Sequence, residues 1–243
     1  MLASQTHCDS SGHPKNKMSG LSVTREGLRD GSLLKAARLI AGPSNTLLSD
    51  GEIETSLQKF ISRISVNQDV WVFGYGSLIW NPAFEFAEKR ATVLPGWHRS
   101  FCLSTFGRGT RDKPGVMLGL EPGSSCEGIA FRIGQKKIEE ELLILWRREM
   151  ISGAYEARWL KAETNNGPIS TLAFVVKQSH RSYIGHLSED EISQRLAYAE
   201  GPLGSCHEYL LNTLSSLKAF GISDDGLERI HSKVQEKREA SRN

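Results

Sequence analysis

The chain has no C-x-x-C pair; its four cysteines, Cys8, Cys102, Cys126 and Cys206, are widely spaced. That excludes a zinc ribbon and argues against a disulfide framework, so a reducing, cytoplasmic setting is expected. No apolar run approaches the ~20 residues that a membrane span requires, and Met1–Lys17 lacks the apolar core of a secretory signal. Neither sign of charge is in excess, since 30 Lys and Arg face 28 Asp and Glu. Nothing in that balance asks for nucleic acid or a membrane surface as partner. None of the seven histidines stands at metal-ligand spacing from another His, a Cys or a carboxylate, so neither a metal nor another cofactor is expected. No Ser/His/Asp or Cys/His nucleophile arrangement is defensible from the order of residues. With 39% hydrophobic and 24% charged residues, the composition is that of an ordinary globular protein able to bury a core.

The most informative stretch is Val70-Trp71-Val72-Phe73-Gly74-Tyr75-Gly76-Ser77-Leu78-Ile79-Trp80. Its apolar start reads as a short buried strand. Gly74 and Gly76 then open a loop whose backbone N–H groups lack ladder partners, a concave site for an anion or a carbonyl oxygen. Ile79 stands where a dinucleotide fingerprint needs a third glycine, and no Gly-Lys-Ser/Thr follows. Ser77 lacks the flanking glycines of a nucleophile elbow. A plain Gly-rich turn after a core strand is the competing reading.

Residues 1–20 are polar and read as disordered. Residues 21–68 read as a helical extension, with one amphipathic helix over 33–40 stopped by Gly42-Pro43 and another from a Ser49 or Asp50 cap to about Arg63. Ile53, Leu57, Phe60 and Ile64 share a face that must pack on the main domain or on a partner. The main domain spans 69–243. Strands are expected over 91–94 and 97–103 around Pro95-Gly96, and over 116–120 and 127–133 around a turn at Glu121–Ser124. A flexible basic loop over 104–115, with Arg108, Arg111 and Lys113, lies between these pairs; it is either solvated surface or a guide for an acidic substrate. A helix follows over 136–150, then a hairpin of 157–164 with 169–177. Ser188–Glu191 is a capping box opening a helix to Glu200, and helices over 207–220 and 225–238 end the chain.

Three side chains sit where their surroundings are informative. Glu149 falls on the same helical face as Ile138, Leu142 and Leu145. It is either paired with Arg148 or Arg158, or open to solvent at the helix end, or a general acid/base with raised pKa. Arg99 shares a strand face with Trp97, Phe101 and Leu103, and either bonds backbone at an edge or pairs with a carboxylate, internal or from a substrate. Tyr209 reads as a half-buried core tyrosine in the first turn of its helix.

Phe73–Trp80 together with Pro95-Gly96-Trp97-His98-Arg99-Ser100-Phe101 resembles the ChaC-type γ-glutamylcyclotransferases. Leu145–Met150, Gly153-Ala154-Tyr155, Tyr183-Ile184-Gly185, Gly201-Pro202-Leu203-Gly204 and Glu208-Tyr209-Leu210 extend the match in the family's order across about residues 70–220. The Arg-Arg-Glu-Met-x-x-Gly segment is similar to the bacterial branch. The resemblance implies an α+β fold, a mixed β-sheet closing towards a small barrel flanked by helices. It implies a lyase that converts glutathione to 5-oxoproline and cysteinylglycine without a cofactor. Glu149 would be the acid/base, Tyr75, Gly76, Ser77 and Leu78 would bind the γ-glutamyl group, and Tyr209 would line the pocket; Arg99 and Tyr155 are further candidates. Other γ-glutamyl amines or amino acids as substrates, or a non-catalytic glutathione-binding module docking through 21–64, are the alternatives.

Overall fold

The computed structural model describes residues 21–41, 47–65 and 67–242. The expected disorder of residues 1–20 and the stop at Gly42-Pro43 lie outside that range. The core is a five-stranded mixed sheet in the order β2-β3-β1-β5-β4. Its strands are β1 (Val70–Gly74), β2 (Glu88–Thr105), β3 (Gly115–Ile133), β4 (Tyr155–Ala162) and β5 (Ile169–Val176). β1 lies at the centre, antiparallel to β3 and parallel to β5. It is apolar on both faces because both are covered. The outer strands β2 and β4 approach each other at one point, where Val93 and Glu163 exchange backbone hydrogen bonds of 3.0 and 2.7 Å. The sheet therefore curls into a partly closed barrel, as the family resemblance implies.

The four strands expected between 91 and 133 are two long ones. Pro95-Gly96 and Glu121–Ser124 look like turns, but they face each other across the β2–β3 ladder: Pro95 pairs with Ser125 and Trp97 with Pro122. The register shifts there by one residue, and Gly96 takes a φ of 80°. Such a bulge bends both strands together without ending either. A second shift between Phe101 and Leu103 breaks the face alternation expected from Trp97 onwards, and Phe101, Cys102 and Leu103 are all buried.

Helix α5 (Ile138–Glu149) lies against the sheet through Leu142, Leu145 and Trp146. The Trp146 ring meets Phe174 of β5 at 5.4 Å and Phe60 at 4.8 Å. Phe60 belongs to α3 (Asp50–Ile61), which Ser49 opens with a reciprocal capping box to Glu52. Ahead of it run α1 (Arg25–Arg29) and α2 (Ser32–Ala41). One-turn α4 (Ser77–Trp80) follows β1. The C-terminal part is α6 (Glu189–Tyr198), the two-residue strands β6 (Glu200–Gly201) and β7 (Gly204–Ser205), α7 (Cys206–Ala219) and α8 (Asp225–Ala240). The expected Ser188 capping box on α6 is present. Among the described residues no helix is long and apolar enough to cross a membrane.

Candidate active site

A cavity of about 800 Å³ opens where the end of β1, the end of α5 and the start of α7 converge. It is lined by Tyr75, Gly76, Ser77, Leu78, Glu149, Tyr155 and Tyr209 among others, so the dispersed residues singled out in the sequence come together, with one exception. Its size is ordinary for a small-molecule site.

The loop after β1 tightens at once into α4. The first amides of a helix have no acceptor within the turn, which leaves those of Ser77 and Leu78 unused by it. Ile79 N–H already donates to Gly76 O at 2.9 Å. Gly76 is required for space: a Cβ there would lie 2.9 Å from the Tyr209 hydroxyl oxygen.

Glu149 is the last residue of α5, and only 14% of its side chain is exposed. Burial pushes its pKa above the ordinary carboxylate value, and Arg148, whose Nε lies 2.9 Å from its Oε1, pulls the other way. Arg158, the other partner considered for Glu149, is committed to Glu156 at 2.7 Å. Arg148 also donates to the Ser77 hydroxyl at 3.0 Å and to the Asn81 carbonyl, so one guanidinium ties the helix end to the loop. Desolvation lowers its own pKa, but an arginine stays charged.

Three tyrosines surround this pair. Tyr75 donates to Phe174 O at 2.9 Å and Tyr155 to Leu118 O at 3.1 Å. Desolvation, with smaller contributions from neighbouring groups including Glu149, raises both hydroxyls well above the usual tyrosine pKa. Tyr209 is pushed up to about 12, again chiefly by burial, and its ring packs edge-on against Trp80 and Phe101. All three are therefore neutral hydrogen-bonding groups at physiological pH. The half-buried tyrosine expected at 209 is fully buried.

Arg99 is the exception. Its side chain is 3% exposed and stands behind the cavity wall, where it bonds Tyr75 O at 2.8 Å, Glu127 O, and Asp224 at 2.8 Å. Both partners considered for it, backbone and an internal carboxylate, are present, and it fixes the carbonyl at the head of the loop. Sequence reasoning reached Arg108 only as one cation of a basic loop and did not assign it to the site. The loop expected to be flexible and solvated is packed: Leu203 N–H donates to Gly107 O at 2.7 Å, and a Cβ on Gly201 would lie 2.5 Å from Gly109 N. This places the Arg108 guanidinium in the cavity wall, 5.2 Å over the Tyr209 ring and bonded to Ser205 O at 3.0 Å. Among the described residues no carboxylate lies within ion-pair distance of it. Its only sequence signal is a cation within a glycine-rich run. Among the described residues no group of three or more His, Cys, Asp or Glu side chains could hold a metal ion.

An Escherichia coli protein named glutathione-specific γ-glutamylcyclotransferase is 42% identical over 160 residues, 65% of this chain and 69% of the relative. A rat protein named glutathione-specific γ-glutamylcyclotransferase 1 is 32% identical over 171 residues, 67% of this chain and 77% of the relative. Among solved structures, a yeast γ-glutamyl cyclotransferase specific to glutathione superposes with a TM-score of 0.66 at 21% identity, covering 71% of this chain and 98% of the yeast one. That likeness establishes the shared fold. The family described as ChaC-like protein matches residues 70–237, the segment that carries β1, α5 and α7, and the chain belongs to that family.

Proposed function

We propose that this chain is a glutathione-specific γ-glutamylcyclotransferase with Glu149 as its general acid/base. The observation that carries the reading is Glu149, the one carboxylate among the described residues that line the cavity, with its pKa raised by burial and three neutral tyrosines beside it. The names of the E. coli and rat relatives support the substrate.

The chemistry needs no outside nucleophile. The α-amine of the γ-glutamyl group attacks its own γ-carbonyl carbon and closes a five-membered ring. The α-ammonium first gives one proton to water. Glu149 takes a second from the same nitrogen as the ring closes, and hands it to the cysteinyl nitrogen as the bond from the γ-carbon to that nitrogen breaks. The amine so released takes a proton from water and becomes the ammonium of cysteinylglycine. Glutathione thereby divides into 5-oxoproline and cysteinylglycine with atoms and charge balanced. A carboxyl pKa shifted towards neutrality suits both transfers. The amides of Ser77 and Leu78 hold the folded, near-attack conformer and its developing oxyanion, which is mainly a matter of orientation. The Tyr75 and Tyr155 hydroxyls, whose protons go to Phe174 O and Leu118 O, accept from the substrate's amine. Arg108 supplies a cation for the glycine carboxylate of glutathione, a group that a γ-glutamyl amine without an acid on its amine part lacks.

Glu149→Gln tests the assignment, because it keeps shape and removes proton transfer. Incubation with glutathione and mass detection of 5-oxoproline and cysteinylglycine should show turnover lower by about 10³-fold or more, with the melting transition preserved. Turnover close to that of the unmodified chain removes Glu149 from the mechanism.

A further inference from the structure

Residues 21–41 and Leu47 precede the segment that matches the family, yet several of them build part of the cavity. Leu21, Val23, Ala37, Ile40, Ala41 and Leu47 all line it. Leu21 and Val23 are half-buried and alternate with exposed Ser22 and Thr24, as an extended segment laid along a surface does. The segment is tied down at points that also carry the site. Leu21 N–H donates to Pro202 O at 3.0 Å, beside Leu203, which bonds the Arg108 loop. Asn81 donates to Val23 O at 2.9 Å through its side chain, while its own carbonyl receives Arg148. Arg111 donates to Ala41 O at 3.1 Å. The apolar wall thus spans from α4 to the Arg108 loop.

A γ-glutamyl group is charged at its α-carbon and would gain nothing from an apolar wall. A cysteinyl side chain is small, soft and weakly polar, and a glycine carboxylate follows it. We propose that this N-terminal segment forms the leaving-group subsite, with Val23 and Ile40 packed against the cysteinyl part of glutathione, and that it sets selectivity for what is expelled. The assignment rests on the cyclisation reading above. The segment is then a working part of the substrate site.

The full chain carrying Val23→Ala and Ile40→Ala together tests this. Inhibition by each product is measured separately, with calorimetric titration of cysteinylglycine and of 5-oxoproline alongside. Expected is about tenfold weaker binding of cysteinylglycine, the scale set by losing a few methylene contacts in a hydrophobic pocket. The KM for glutathione should rise by a similar factor, and 5-oxoproline binding should be unchanged. Leu21→Ala, in the half-buried stretch ahead of α1, repeats the comparison should the paired change unfold α2. Equal weakening of both products overturns the assignment, as does unaltered cysteinylglycine binding or its absence in the unmodified chain. If the unmodified chain makes no 5-oxoproline from glutathione, the cyclisation reading fails, and the titrations still decide the subsite.

Discussion

Glu149 and Glu121 are the same side chain driven in opposite directions. Burial opposes ionisation at both. Glu121 is nevertheless held below the ordinary value, because Ser100, Tyr183 at 2.6 Å and Gln178 at 3.0 Å all donate to it. Glu149 has Arg148 alone and ends up raised. The first is an anchor for the loop carrying Tyr183; the second is left ready to exchange a proton. As a base Glu149 must be ionised, so kcat/KM should fall as pH drops through its raised pKa. Arg148 pulls that pKa down. Arg148→Met should therefore move the acidic limb of the pH–rate profile to higher pH, by on the order of one unit. A limb that stays in place shows that Arg148 does not tune the carboxyl. The variant should also lose roughly 3 kcal/mol of stability, since it strands a buried carboxylate, and the limb distinguishes tuning from that loss.

At the scale of elements, the site depends on how closely α4 approaches α7. Gly76→Ala inserts a methyl against the Tyr209 hydroxyl, so the loop or the ring must give. The KM for glutathione should rise about tenfold, consistent with a small misplacement at a preorganised site. Adding Tyr209→Phe, which removes the colliding oxygen, should recover part of that loss; a purely additive effect in steady-state kinetics overturns this account. Much of the element pattern was legible. β1, α5, the Ser188 capping box and a cap at Ser49 or Asp50 declare themselves through local periodicity and cap chemistry. The length of β2 and β3 was not, because Pro95-Gly96 and Pro122-Gly123 read locally as turns, and only their meeting across the ladder makes them a bend. Glu149 and the Gly76 loop could be found because each breaks a pattern. The lining supplied by Arg108 and Val23 could not, because it depends on contacts between segments far apart in the chain.

For the whole molecule, one ion pair between a partly exposed arginine and a buried carboxylate fastens the N-terminal helices to the domain. Glu141 has no exposed surface, and Arg25 meets it with bonds of 2.6 and 2.7 Å while Glu85 N–H donates at 2.8 Å. The bond to Glu141 raises the Arg25 pKa further above its already high value. Arg25→Met should cost about 3–5 kcal/mol in denaturant unfolding, the penalty for an unpaired buried charge. Arg25→Met with Glu141→Leu should cost less than Arg25→Met alone; equal or greater cost shows that the pair does not govern docking. The central position of β1 has a consequence of another kind. Trp71 and Val72 find their parallel partners, Thr171 and Leu172, roughly a hundred residues later in the chain. Closing so large a loop must precede any reward from the contact, which makes folding slow relative to helical proteins of this size. During synthesis the Gly76 loop leaves the ribosome long before Glu149, and Tyr209 follows later still. A nascent chain therefore carries the loop with nothing to complete it, and the cavity wall is whole only once α7 has followed.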